Sequence, residues 1–271
     1  MTDIINFLTS EYERGMSYSS LNCARSALSA LGIRIEQFMA GTHPLVVRFL
    51  RGVFNLRPPV PHNSKIWDVD QVLKYLRKLS PVKHLSLKDL TLKLTMLLCL
   101  VNAARVQTVY KLLFIDLQKL KSCFVLKLDG SIKQTRPGHL LSHVTLRAYP
   151  PDRRLCIYFV LKEYLKRTKL LRNKQEKKLL ISYVKPHAAV TKDTVARWVK
   201  VIMIRSGINV GVFGAHSVRA AVCSKASQKC VPISDIMKKA GWTQESTFTR
   251  FYKKDIMKDG EQTFSNAVLK I

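Results

Sequence analysis

The sequence predicts a mainly α chain of the α+β kind: a small helical domain, then a larger, mostly helical domain holding a small antiparallel β-sheet. Three observations predict it. Apolar residues recur at helical spacing on both sides of a proline cluster. The cluster itself, in RPPVPHNSK, cannot continue a helix and reads as a linker. Between about residues 123 and 150 the pattern changes to short runs with turn residues between them, the mark of paired strands.

The elements follow in order. Thr2 can cap a helix carrying Ile4, Ile5, Phe7 and Leu8, and Ser17 a second with Leu21, Ala24, Leu28 and Leu31. A third runs from Pro44 to about Asn55. The linker is placed at residues 58–64, separating residues 1–57 from residues 65–271. Beyond it, WDVDQVLKYLRKL and SLKDLTLKLTMLLCLVNAARVQTVYKL both read as helix, the second as one run that Arg105 ends. CFVLKLD, a Gly130-Ser131 turn, IKQTRPG and SHVTLRAYP read as short antiparallel strands. Next come a basic helix (LCIYFVLKEYLKRTKLLR), a strand (KLLISYV), and a helix capped by Thr191 or Asp193 that stops at Gly207. Short helices punctuated by Gly and Pro fill the remainder from about Ala215.

Charge narrows the function. The chain carries 46 Lys and Arg against 18 Asp and Glu, a formal charge of +28. Self-repulsion of that size opposes compactness and points to a polyanionic partner. Nucleic acid is the leading candidate, because neutralised phosphates release condensed counterions. An acidic membrane surface is the rival. The apolar stretch Leu94 to Ala104 falls well short of the roughly 20 residues a spanning helix needs. The N-terminus lacks the pattern of a secretory signal. Six scattered cysteines read as reduced core thiols of a cytosolic or nuclear protein, and no Cys/His cluster has metal-ligand spacing.

Cutting a phosphodiester without a metal needs cations for the spreading negative charge, an in-line nucleophile, and an acid for the leaving oxygen. Arginine suits the first task, being permanently charged and forked. Arg105 ends an apolar run, although a helix-end arginine reaching solvent is the simpler account. His216 and Arg219 lie three apart in GAHSVRAAV and share a face if that segment is helical. Taken alone, such a pair is more often surface than site. Trp242 follows a glycine, with Tyr252 ten residues later in a basic segment. A single tyrosine there would usually be packing.

Together and in this order, these residues resemble the tyrosine recombinase (phage-integrase-like) family. The segments RGVFNLRPP, IKQTRPGH, AYPPDRRLC, ISYVKPH and GWTQESTFTRFY look like the recombinases of DIRS-like and Crypton-like mobile elements. The likeness covers nearly the whole chain. It implies a helical core-binding domain over residues 1–57, short for the family and read as an incomplete clamp, and a catalytic domain over residues 65–271. It implies a site-specific recombinase that breaks and rejoins double-stranded DNA through a 3′-phosphotyrosyl link, with no cofactor or metal and no membrane, as a tetramer in the nucleus. Residue by residue, it makes Tyr252 the nucleophile, Arg105 and Arg219 the holders of the scissile phosphate, and Lys133 the acid. His216 becomes a proton-transfer partner or phosphate ligand, and Trp242 a donor through its indole N–H. Lys127 and Arg136 are the fallbacks for Lys133.

One departure matters. Thr108 stands where the family often has a carboxylate, three residues after the first arginine. The alternative reading is therefore a non-catalytic DNA-binding remnant of such a recombinase, and an unrelated basic scaffold or RNA-binding protein is a third. The run KEYLKRTKLLRNKQEKK holds eight basic residues and reads either as a solvated face or as a phosphate track. Tyr158, Phe159 and Trp198 read as core, and Phe248 and Phe251 as anchors of the nucleophile's helix.

Overall fold

A computed structural model describes residues 1–58, 65–130 and 143–256. The chain divides into two compact units, Met1–Asn63 and Ser64–Ile271.

The first unit holds helices α1 (Thr2–Glu13) and α2 (Tyr18–Ala30), strands β1 (Arg34–Ile35) and β2 (Phe38–Met39), a 3-10 turn at Ala40–Thr42, and helix α3 (Pro44–Leu56). The helices form because apolar residues fall on one face. Leu8, Leu21, Val46, Leu50 and Val53 meet as the core. The Ser17 hydroxyl caps α2 by accepting from Ser20 N–H, whereas Met1, not Thr2, precedes α1 and supplies no side-chain cap. Pro44 opens α3 behind a His43 ring that accepts from Leu45 N–H. Gly41 is required by close approach: a Cβ there would collide with the Ser29 hydroxyl and the Arg25 carbonyl of α2. The β1–β2 pair gave no sequence signal, since two residues per strand are too few for alternation to show.

The second unit begins with strand β3 (Lys65–Ile66) and helix α4 (Val69–Lys78), whose N-cap Asp68 accepts from Asp70 N–H. Helix α5 (Leu87–Val101) is buried on every side from Leu90 to Leu100, so its sequence reads as a nearly continuous apolar run. It is the axis of the unit. The charged exception in that run is Lys93, fully buried, whose ammonium donates to the carbonyls of Leu76 (2.9 Å) and Leu79 (2.6 Å) at the end of α4. Burial pushes its pKa down to about 8.

Helix α6 (Val106–Tyr110) and strands β4 (Gln118–Lys119), β5 (Cys123–Lys127) and β6 (His143–Arg147) come next. The strands form one antiparallel sheet in the order β4-β5-β6, with Phe124, Leu126, Val144 and Leu146 facing the core. Helices α7 (Ile157–Thr168), α8 (Lys192–Arg205), α9 (Ser217–Gln228), α10 (Ile233–Ala240) and α11 (Glu245–Phe251) follow, then strand β7 (Asp255–Ile256). Strand β7 pairs in parallel with β3. Helices α7, α8 and α9 pack against α5. At the start of α9 the buried Trp67 indole N–H donates to the Ser217 hydroxyl at 2.8 Å. Among the described residues no helix is long and apolar enough to cross a membrane.

Several expectations are corrected. The long helix through Arg105 is two helices, because α5 ends at Val101 in a Schellman turn. Ala104 N–H bonds to Cys99 O, Ala103 N–H to Leu100 O, and Ala103 takes the left-handed conformation at φ +44. With alanine rather than glycine at that position, the stop leaves no mark in the sequence. KLLISYV is not a strand, since only the isolated bridges Leu113↔Lys178 and Ile181↔Ala189 form. Phe248 is buried, but Phe251 is 56% exposed and anchors nothing through burial. Cys23 and Cys230 are exposed rather than core, and Cys99, Cys156 and Cys223 are buried. Tyr158 and Trp198 are buried and Phe159 packs partly buried against the core.

The basic run divides too. Arg167 donates to Leu85 O, and Lys178 pairs with Asp129. Arg172 stacks on Phe114 and donates to the carbonyls of Lys178 and Leu179. These three hold structure, which leaves Lys162, Lys166, Lys169, Lys174 and Lys177 exposed for solvent or phosphate.

Candidate active site

Helix ends build the site. Arg219 lies in the first turn of α9 and is 3% exposed. Its Nη1 donates to Ala103 O at 2.8 Å, and its Nη2 to Ala240 O. The guanidinium thus satisfies carbonyls at the C-terminal ends of two helices, α5 and α10, where the helix dipole favours a cation. Gly241 at φ +67 ends α10, and the Schellman bond from Trp242 N–H to Met237 O directs the indole back toward Arg219. The Arg219 guanidinium carbon stands 4.5 Å from the Trp242 ring centre and 5.5 Å from the Tyr252 ring centre. The two rings are 4.3 Å apart, tilted by 41°. Phe248, buried one turn before Tyr252, packs on Trp242.

Arg105 is half-buried and forms the N-cap of α6, immediately beyond the turn whose Ala103 carbonyl Arg219 binds. Burial first, and the positive charge of Arg105 second, lower the Arg219 pKa to about 10, while the Tyr252 phenol acts in the opposite direction. The two cations therefore sense each other. Among the described residues, three donor nitrogens here are buried without a hydrogen-bond partner: Arg105 Nη1, Arg219 Nε and Trp242 Nε1. Unpaired buried donors are costly, and an anion would satisfy all three kinds.

A cleft of about 410 Å³ opens beside Arg219, between β6 and α10, with Thr108, His143, Lys238 and Lys239 among its walls. Thr108 is buried there, so a neutral hydroxyl stands against the cleft. Cys223, one turn past Arg219, has its thiol pushed up to about 11 by burial, which keeps it protonated.

The structure thus brings Arg219, Trp242 and Tyr252 into direct contact and puts Arg105 within electrostatic reach. His216 is the N-cap of α9, half-buried and three residues before Arg219, and its own backbone is helical. Residues 131–142, with Lys133 and the fallback Arg136, lie outside the described residues. Lys127, at the end of β5, is exposed and pairs with Asp116 at 3.5 Å. Among the described residues no group of three or more His, Cys, Asp or Glu side chains is arranged to hold a metal ion. Sequence reasoning missed Ala103 and Ala240, whose contribution is a carbonyl, and Ser224, which binds the Tyr252 main chain. No side-chain motif could have marked them.

This fold, a mainly helical unit around a buried α5 with a three-stranded sheet, is shared with solved site-specific recombinases and integrases. The chain is similar to the XerH site-specific recombinase solved on its palindromic difH substrate, with a TM-score of 0.57 and 17% identity over 92% of this chain and 68% of that one. It is similar to a fragment of the Tn1549 transposon integrase, with a TM-score of 0.60 and 13% identity over 98% of this chain and 82% of that one. It is similar also to a lambda integrase dimer on a core site, at 0.54 and 16% over 97% and 67%. No protein-family model matches the chain, and no curated protein sequence is significantly similar to it.

Proposed function

We propose that this chain is a site-specific DNA recombinase that cleaves one strand with Tyr252 and rejoins it to another. The observation that carries the reading is the meeting of unpaired donors on Arg219 and Trp242 beside the Tyr252 ring, with Arg105, which also carries one, in electrostatic reach of Arg219. In that setting the phenol oxygen attacks the scissile phosphorus and forms the Tyr252–phosphate ester. The bond to the 5′ oxygen breaks, and that oxygen takes up a proton. A second 5′-hydroxyl then attacks the ester, releasing the phenol. The strand is resealed without ATP because one phosphodiester is exchanged for another.

Arg105 and Arg219 neutralise the phosphate oxygens, and the indole N–H donates to one of them. The resemblance assigns protonation of the leaving oxygen to Lys133 and gives His216 a supporting proton-transfer role. The likeness to solved recombinase and integrase complexes on DNA, dimeric and tetrameric, supports duplex DNA as the partner and a homo-oligomer as the working form. An origin in a mobile element and a nuclear location extend the same proposal.

A second reading has its own support. Both terminal nitrogens of Arg219 are already engaged by main-chain carbonyls, and Thr108 replaces a carboxylate. A chain that binds DNA without cutting it would keep that architecture. The two readings separate on a pool of nicked duplexes with randomised sequence around the nick, which traps cleaved product. The enzyme forms a covalent protein–DNA band on a denaturing gel, absent in Tyr252→Phe. Retained binding with no band from the wild type selects the second reading.

A further inference from the structure

We propose that Ser224 is a positioning residue for the nucleophile: its hydroxyl fastens the Tyr252 main chain to the helix that carries Arg219. The inference rests on the recombinase reading above and adds to it a residue that no side-chain motif marks. Ser224 is fully buried on α9, five positions beyond Arg219. Its Oγ donates to Tyr252 O at 2.6 Å and accepts from Lys254 N–H at 3.0 Å. A hydroxyl is the smallest side chain able to do both at once.

The need for such an anchor follows from the local backbone. Helix α11 ends at Phe251, and Tyr252 has already left helical geometry at φ −129. Strand pairing resumes only at Asp255, where β7 meets β3. The nucleophile therefore sits on a short stretch between a helix and a strand. From Phe248 O, which accepts from both Tyr252 and Lys253 N–H, that stretch is tied to its own helix alone. Ser224 ties it to a different element, the one that fixes Arg219. Without that bond the Tyr252 ring keeps its contacts with Trp242 and Arg219, but the backbone that carries it is no longer fixed to α9, and its oxygen is held less closely in place. In-line attack tolerates little drift, since a misplacement of about 1 Å can cost about 100-fold in rate.

The test measures covalent adduct formation by the full chain at saturating concentrations of the nicked duplex recovered from the randomised pool. Ser224→Ala is expected to lower the first-order rate about ten-fold or more while leaving duplex affinity within about two-fold. Ser224→Thr, which keeps the hydroxyl, is expected to react faster than Ser224→Ala. Thr168→Ala is the control for lost stability, because Thr168 makes a buried hydroxyl bond of the same kind to Tyr164 O, away from the site. A wild-type rate in Ser224→Ala, a loss matched by Thr168→Ala at equal melting temperature, or Ser224→Thr no faster than Ser224→Ala would each overturn the proposal. Absence of adduct from the wild type would instead overturn the recombinase reading, and this proposal with it.

Discussion

At the scale of single residues, Arg219 and Trp242 carry different loads although they touch. Arg219 is buried, charged, and bound to two main-chain carbonyls, so removing it orphans both acceptors. Arg219→Gln is expected to lose about 2–4 kcal/mol of stability along with DNA cleavage, read as a lower melting temperature and no adduct. Trp242→Phe keeps an aromatic face over the guanidinium and deletes only the indole N–H. It should melt close to the wild type while adduct formation falls about 10- to 100-fold, since among the described residues the N–H has no hydrogen-bond partner to lose. Cys230 offers a simpler case. It ends α9 in a Schellman turn at φ +57 with its side chain exposed, so glycine fits better. Cys230→Gly should raise stability by about 0.5–1 kcal/mol in a denaturant titration.

At the scale of elements, buried or bridging charges decide how helices are held. The Asp152 carboxylate accepts from Arg154 in the adjoining 3-10 turn (Arg153–Leu155) and from Arg77 on α4. These bonds hold its pKa well below the usual carboxylate range. A depressed carboxylate stabilises the fold at pH values above its ordinary pKa near 3.9, and the contribution fades as pH falls through the folded value. Asp152→Asn should therefore melt below the wild type at neutral pH, and the gap should close as pH drops below about 4 in a series of thermal melts. Lys225 bridges similarly, pairing with Asp70 and with Asp68 at 4.0 Å, and so ties α9 to the start of α4. Most helices were legible from the sequence because apolar spacing and polar caps coincide, as at Ser17, Asp68, Ser86 and Thr191. The stop after Val101 was not, because the left-handed residue is alanine. The β1–β2 and β3–β7 pairs were not, because two-residue strands are specified by their partners rather than by alternation.

At the scale of the whole molecule, the charge of +28 dominates. Arg167, Arg172 and Lys178 are used internally, yet a large exposed excess remains on the helices and loops. Duplex binding should weaken steeply with salt: neutralising about six or more phosphates predicts a loss of about 1,000-fold between 50 and 200 mM monovalent salt. Fluorescence anisotropy on a duplex of mixed sequence would measure it, and a flat salt response would argue against a phosphate track. Among the candidate site residues, the sequence by itself determined identity and order: arginine, then H-x-x-R, then G-W, then a tyrosine in a basic segment, along with the helical class and the charge that leads to the proposal of a polyanionic partner. These are properties of residue type and spacing, and they survive without coordinates. Only the tertiary structure decided that Arg219, Trp242 and Tyr252 touch, that Arg219 binds two helix-end carbonyls, and that Ser224 holds the Tyr252 main chain. Those contacts join residues from separate helices through main-chain atoms. Every residue type carries the same carbonyl and, proline apart, the same N–H, so nothing in the order of side chains records them.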